Sequence, residues 1–496
     1  MKGCLLLQRR FAYIGHYIAL ELKQKYGIEN FCGYVYLRTS LNFLKLQTDI
    51  RYSTLLLDED IHERYKTEKL DPVYLTYLEK EFGIPFLWPY LAIDRVLMSN
   101  QLIREYPYNK PPFTHEEMLR ILQVHAKVII KMLEEEKPDF VFGSVVGGIG
   151  SMLLWNIAKK FGVKTIIVLP TCIRNSYILS EDPCTFTSID AKYKNIEATN
   201  SPSRIVAKEF LEEFRKSPQP YFEKFTPRHQ PVSRSKQFKF LNPLKGYKSF
   251  ATFFREIIKH LSSKEKYDYS YIGPWNYLRD TLKRKARNLI GTNDLYEPFD
   301  PQEDFAFFPL HYEPETSLLL QAPYYTNQAH LIGQIARSLP VQYKLVVKEH
   351  PQMVEYRPRS FYKELKKSPN VKIVSPKINS FAIIPFAKLI TTIAGTVGWE
   401  GILLNKPVIT FGHQFYNTLS SVKHCLDIEN LPNLVNEAIN TPRPNDDELI
   451  NYLTAIFEDS ETFELHRLWT EETDVNKKIE GVRPIAELLA KYLKII

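Results

Sequence analysis

The chain has 496 residues, 44% of them hydrophobic and 25% charged, with a formal net charge of +8. That length exceeds one ordinary core and predicts two or three globular domains, and no apolar run reaches the ~18 residues that read as a membrane span. Five scattered cysteines (Cys4, Cys32, Cys172, Cys184 and Cys425) form no CxxC pair, which argues for reduced thiols in a cytosolic protein and against a disulfide framework or a cysteine zinc site.

The first half alternates strands and helices. MKGCLLLQRRF reads as a first strand rather than a signal peptide. YIGHYIALELKQKYG is a helix that ends at a glycine, NFCGYVYL is the next strand, and residues 115–136 form an amphipathic helix. KPDFVFGSVVGGIGSMLLWNIAKKFGVKTIIVLP then reads strand, glycine-rich turn, helix, strand, a βαβ unit that requires a parallel sheet covered by helices. Its turn, residues 143–151, contains Gly147 and Gly148. These either let an acceptor or sugar approach the backbone or serve close helix–strand packing. Arg174, in the loop that follows, is placed to meet an anionic sugar or acceptor, or simply solvent.

Residues from about 200 to 295 are basic, aromatic and broken by prolines. From Arg228 to Arg287 there are 15 Lys and Arg against 4 Asp and Glu, so the segment carries about +11 and the rest of the chain about −3. Interleaved with Phe250, Phe253, Phe254, Trp275 and Tyr277, this charge predicts docking on the anionic cytoplasmic face of a membrane, the alternative being a solvated linker whose cations pair with the acidic remainder of the chain. Nucleic acid is not expected as a partner, because no nucleic-acid module accompanies the charge.

Alternation then resumes. FAFFPL, YKLVV, VKIVS, KLITTIA and PVITFG are strands. Residues 327–339, SFYKELKKS and VGWEGILLN are helices, and FAIIPFA reads as a short one. Two α/β halves imply a cleft with ligands at the carboxyl ends of the strands. The expected domains are 1–227 on the acceptor side, 228–295 as a basic aromatic linker, 296–480 on the donor side, and a C-terminal helix, 481–496, returning to the first domain.

Two strand ends carry chemistry. In VVKEHPQM, residues 346–353, an apolar strand ends in Lys348, Glu349 and His350, and Pro351 sets the exit direction. In TTIAGTVGWEGILLNKPVITFG, residues 391–412, a tight turn at Gly395 leads into a helix. Its free N–H groups and dipole favour an anion, with Thr396 as a further phosphate ligand. Gly395 and Gly398 let a ligand approach, and Glu400, one turn in, is placed to accept hydrogen bonds from two vicinal hydroxyls.

These stretches, with FFPLHYEPE (307–315) and NVKIVSP (370–376), resemble the capsule polysaccharide biosynthesis family, which includes Kdo transferases using CMP-activated sugar. More broadly they resemble the donor half of nucleotide-sugar glycosyltransferases of the GT-B fold. The resemblance implies two doubly wound Rossmann-like domains facing a central cleft. It also implies that His350 and Pro351 contact the nucleotide of a CMP-sugar, with Lys348 as a supplementary charge and Glu400 on the ribose. His16, in a Gly-His pair at the first strand–helix junction, resembles the base of many such enzymes, or is a surface histidine at a helix start. If the reaction retains configuration, a carboxylate such as Asp182 or Glu349 serves as nucleophile. Neither a cofactor nor a metal is expected: NDDE at 445–448 reads as a helix start, and GT-B enzymes generally stabilise the leaving phosphate without a divalent ion. The implied function is transfer of a sugar from a nucleotide-sugar donor to a surface polysaccharide or lipid-linked acceptor in the cytoplasm. A nucleotide-sugar 2-epimerase of the same fold and a non-catalytic binding protein of the capsule apparatus are the alternatives.

Overall fold

The computed structural model describes residues 1–84, 86–99, 111–196, 201–220, 243–263, 268–269, 271–441 and 446–496. The parts of the basic segment at 228–242, 264–267 and 270, and the Phe250 side chain, lie outside the described residues.

The first sheet contains β1 (Lys2–Leu7), β2 (Asn30–Val35), β3 (Tyr52–Leu57), β4 (Phe140–Gly143), β5 (Lys164–Pro170) and β6 (Ser176–Ser180). The second contains β7 (Phe305–Pro309), β8 (Lys344–Lys348), β9 (Val371–Val374), β10 (Leu389–Thr392), β11 (Val408–Thr410) and β12 (Val422–His424); β13 (Glu461–Thr462) returns to the first. The strand orders are β13-β6-β5-β4-β1-β2-β3 and β12-β11-β10-β7-β8-β9. The second sheet is parallel throughout, and the first is parallel from β5 to β3, with β6 and β13 added antiparallel. Near-continuous apolar strands such as Leu5–Leu7 and Leu345–Val347 are fully buried, as strands covered on both faces must be. The helix Phe11–Tyr26 stops where Gly27 takes φ 68°. The helix His115–Glu136 starts on a capping box made by Thr114 and Glu117. FAIIPFA forms two single 3₁₀ turns, Ser380–Ala382 and Ile384–Phe386, rather than one helix.

In each sheet the strand order reverses beside one strand. β1 pairs with both β2 and β4, and β7 pairs with both β8 and β10. Each half is therefore doubly wound, with a crevice at the carboxyl ends beside that strand. This is the two-domain Rossmann-like GT-B arrangement expected from the sequence.

The expected boundaries at 227 and 480 do not follow the packing. The helix Pro202–Lys216 lies against the second half, where Arg215 donates to Asp446 at 2.6 and 2.7 Å and to the Leu403 carbonyl at 2.9 Å. The chain crosses back before 480, because β13 pairs with β6 and Phe463, Leu465 and Leu468 join the core of the first sheet. The last helix runs Val475–Tyr492 and buries Val482, Ile485, Ala486 and Leu489 against that core. Among the described residues no helix is long and apolar enough to cross a membrane.

Candidate functional site

The crevice beside β7 holds a cavity of about 620 Å³. Its wall includes Lys348 and Glu349–Pro351 after β8, the turn 376–381 after β9, and Thr396, Val397 and Glu400 on the helix Thr396–Leu403. Lys348, His350, Pro351, Thr396 and Glu400, read from two stretches some fifty residues apart, thus meet in one place. Lys348 and Glu400 are 6% and 7% exposed. Burial pushes the Glu400 carboxyl up to about 7, opposed by a hydrogen bond with Thr396 and by the charge of Lys348. His350 Nδ1 accepts the Gln352 N–H at 3.2 Å, so the neutral ring carries its proton on Nε2 as a donor. Among the described residues no side chain caps the first turn of the helix Thr396–Leu403, so the positive end of its dipole is not quenched by them.

A buried ion cluster fixes this wall from behind. Arg357, fully buried, pairs with Glu349 and with Glu313 (3.4 Å), and donates to the His311 carbonyl at 2.7 Å. Glu349 also accepts from the Tyr362 hydroxyl at 2.7 Å and from the His350 N–H at 2.6 Å. Its carboxylate is thus committed to shaping the strand exit, and Glu349 is not the nucleophile that the sequence left open. His311 Nε2 accepts the Ala394 N–H at 3.2 Å, tying the turn after β7 to the turn after β10. Burial and then Arg357 draw that imidazole down to about 4.

Gly398 has a different role from the one expected. A Cβ there would collide with the Tyr416 hydroxyl, which donates to the Gly395 carbonyl at 2.6 Å. Gly398 therefore admits Tyr416 rather than a ligand, and Tyr416 holds the turn. Gly395, with His311 Nε2 at 3.3 Å from a Cβ built on it, lines the next cavity.

That second cavity, about 410 Å³, shares Leu310, His350, Thr396 and Val397 with the first. It shares Tyr312, Glu315, Ser317 and Gln321 with a third, about 590 Å³, under the first sheet. The three make one continuous cleft between the two switch points. The third is walled by Gln8 and Arg9 after β1, Ser144–Gly148 after β4, and Tyr36, Asp94, Arg95 and Tyr269. Gly147 and Gly148 line it as the sequence suggested, and both are also close-approach points. A Cβ on Gly147 would strike the Thr316 side chain, and one on Gly148 would lie 2.6 Å from the Tyr36 hydroxyl. The N–H groups of Gly147, Gly148 and Ile149 donate to Ser151 Oγ (2.9 and 3.1 Å) and to Asp94 (3.1 Å). The start of the helix Ile149–Lys160 is thus capped by the protein itself.

Three expected residues lie outside the cleft. His16 is 1% exposed, packed on Phe43 and Tyr17 with Nδ1 3.1 Å from the Tyr52 hydroxyl. Burial pulls it down to about 4, so it is a neutral core residue and not the base. Asp182 accepts from the N–H groups of Cys184 (2.7 Å) and Thr185 (3.0 Å) and forms the turn after β6. Arg174 pairs with Glu213 at 3.2 Å over the Phe210 ring, at the seam with the helix Pro202–Lys216. Sequence reasoning missed Arg9, Arg95, Tyr269, Tyr312 and Glu315 as cleft residues. The last two stand in FFPLHYEPE, where the strand-end position was the available signal. The other three are gathered by topology and have no local motif. Among the described residues no group of three or more His, Cys, Asp or Glu is placed to hold a metal ion.

Comparison with known proteins adds a family. The model described as capsule polysaccharide biosynthesis protein matches residues 197–421. A curated relative, Protein FixF of Sinorhizobium fredii (strain NBRC 101917 / NGR234), is 30% identical over 125 residues, which is 25% of this chain and 30% of that protein. The matched part therefore spans less than a third of the relative's length. Solved structures with some likeness include the β-Kdo 2,7 transferase part of Thermosulfurimonas dismutans KpsC, with 14% identity, 78% of this chain, 96% of that chain and a TM-score of 0.32. Another is the UDP-GlcNAc 2-epimerase of Methanocaldococcus jannaschii, with 14% identity, 92% and 98% coverage and a TM-score of 0.27. The fold is defined by the two sheets described above. The resemblance drawn from the strand-end motifs is thus matched by the capsule polysaccharide biosynthesis family over residues 197–421, just under half of the chain.

Proposed function

We propose that this protein is a glycosyltransferase of capsule-type polysaccharide synthesis that binds a nucleotide-sugar, CMP-linked, in the 620 Å³ cavity. The observation that carries this reading is the convergence of Lys348, His350, Pro351, Thr396 and Glu400 on one cavity whose cleft continues to the first sheet. Lys348, the His350 Nε2–H and the open helix start supply positive potential for the phosphate, and Glu400 accepts from the ribose hydroxyls. These groups stabilise the leaving nucleotide by fixed dipoles and charge, with no metal required of them. Glu315 lines both the middle and the acceptor-side cavities, where a carboxylate is suited to take the proton of an acceptor hydroxyl or to attack the sugar. Incubation of the full chain with CMP-, UDP-, GDP- and dTDP-sugars tests the reading. Transferase activity releases nucleotide only when a glycan acceptor is added. Release without acceptor, together with a changed sugar, would replace it by epimerisation, and no turnover of any donor would leave a binding protein.

Association with an anionic membrane surface belongs to the same reading. The helices Pro243–Ser262 and Pro274–Ile290 pack together through Phe253 and Trp275 and leave Phe254, Ile258, Leu261, Trp275, Leu282 and Ile290 exposed. Not all of the cations expected to face the membrane are suited to it. Arg284 pairs with Asp280 over the Tyr356 ring, and Arg287 donates to the Tyr356 carbonyl, so both tether the helix to the second half. A lipid-linked acceptor makes such docking useful. Vesicle co-sedimentation checks it: binding is expected to anionic and not neutral vesicles, to fall as salt rises, and to weaken when Lys283 and Lys285 become Gln.

A further inference from the structure

The third cavity holds two arginines from separate elements. Arg9 lies in the turn after β1, and Arg95 opens the short helix Arg95–Ser99. No hydrogen bond or ion pair to either guanidinium is present among the described residues, whereas the acids on the same wall are otherwise engaged. Asp94 accepts from the N–H groups of Val96 (2.9 Å), Leu97 (3.1 Å) and Ile149 (3.1 Å), which orients its carboxylate toward two helix starts. Asp58, behind the wall, accepts from the hydroxyls of Tyr34 and Tyr269. Glu315 stands on the facing wall, from the second half. Arg9 also sits at φ 42°, a left-handed conformation that an arginine keeps only where its surroundings hold it. Arg9 is exposed to the cleft, and the partial enclosure of its guanidinium there, and then the charge of Arg95, lower it from its ordinary value. Two cations sharing a wall repel each other, and an oxyanion between them removes that repulsion while offering acceptors to both planar donor forks.

We propose that Arg9 and Arg95 form an anion subsite for the acceptor, taking a carboxylate of a sugar acid or a phosphate of a phosphorylated acceptor. The proposal rests on the reading of the cleft as that of a glycosyltransferase and adds the class of acceptor to it. The rings of Tyr36, Tyr269 and Tyr312 on the same walls give the uncharged part of a glycan surfaces to stack on. The subsite lies at the far end of the cleft from Lys348 and His350, so the two ends can be tested separately.

The experiment is a ligand-observed NMR titration of the full chain, without nucleotide, using methyl glucuronide and glycerol 3-phosphate against methyl glucoside and glycerol. At least one anionic probe is expected to bind and its neutral counterpart is not; the better of the two anions tells which source the site favours. Arg9→Gln and Arg95→Gln are each expected to weaken that binding roughly tenfold or more, as loss of a charge-assisted hydrogen bond does. Thermal unfolding of each variant separates lost binding from lost fold. Equal binding of neutral and anionic probes, binding of none, or wild-type binding by both folded variants would overturn the subsite. The probes are read without nucleotide, so failure here leaves donor binding standing. Loss of nucleotide binding with anion binding retained would overturn the transferase reading and not this site.

Discussion

The two halves build the same device and use it differently. In each, a strand at the switch point leads by a glycine turn into a helix whose start faces the cleft. In the first half, Ser151 and Asp94 take up the N–H groups of Gly147, Gly148 and Ile149, so the helix start is satisfied from within. In the second half no side chain among the described residues caps the first turn of the helix Thr396–Leu403, and Lys348 and His350 stand beside it. One helix start is therefore a structural joint, and the other is the anion seat of the proposed reading. The comparison teaches that a glycine-rich strand–helix turn becomes a site when its donors are left unspent, not because it contains glycine.

The largest test lies between the halves. Glu315→Gln is expected to lower transfer by about 10²- to 10⁴-fold, the usual range for a lost proton-transfer group, while nucleotide affinity measured by titration stays near wild type. An unchanged turnover number would remove Glu315 from the chemistry. Next, His350→Ala is expected to weaken nucleotide binding by about 1.5–3 kcal/mol, the range for a hydrogen bond to a charged group. Calorimetry on the variant reads this directly, and wild-type affinity would move the nucleotide elsewhere.

Glu400→Gln sharpens the account of the donor end in two ways. It is expected to cost affinity for a ribonucleotide and not for its 2′,3′-dideoxy analogue. It also changes stability with pH. Glu400 is pushed from its ordinary 4.5 up to about 7 by burial. Between those values the folded chain holds a proton that the unfolded chain has released, so this group's contribution to stability falls as pH rises from about 4.5 to about 7. The Gln variant is therefore expected to match wild type near the lower limit and to exceed it above pH ~7 by about 1–3 kcal/mol. Denaturant melts at several pH values check this, and a difference that does not change with pH would contradict it.

The smallest effect concerns the satisfied helix start. Ser151→Ala is expected to destabilise the fold by about 0.5–2 kcal/mol, as loss of a cap does, with nucleotide affinity unchanged. Thr396→Ala is expected to do the reverse, weakening nucleotide binding with little change in stability. The same pattern in both variants would mean that the two helix starts are not differently used.

The second half was legible in the sequence because its signals are local. VVKEHP and TTIAGTVGWE each write a strand, its end and the exit in consecutive residues, and parallel pairing of β7 with β8 and β10 does the rest. The first half spreads its cleft over residues 8–9, 36, 94–95, 144–148 and 269, with no motif joining them. His16 misled because Gly-His adjacency says nothing about the face it turns to, and Phe43 and Tyr52 close over it. Glu349 misled because its partner Arg357 is eight residues on, beyond the proline that ends the motif. The boundary near 480 fell too late because β13 is only two residues long and apolar residues such as Phe463, Leu465 and Leu468 mark a buried face without saying which sheet buries it.

Titration of the full chain with CMP, UDP, GDP and dTDP, repeated with Lys348→Gln, tests the central claim that the second half's open helix start is a nucleotide seat. The account predicts that CMP binds, and that Lys348→Gln weakens it roughly tenfold or more without lowering the melting temperature. Binding of none of the four nucleotides, or equal affinity in wild type and variant, would contradict it.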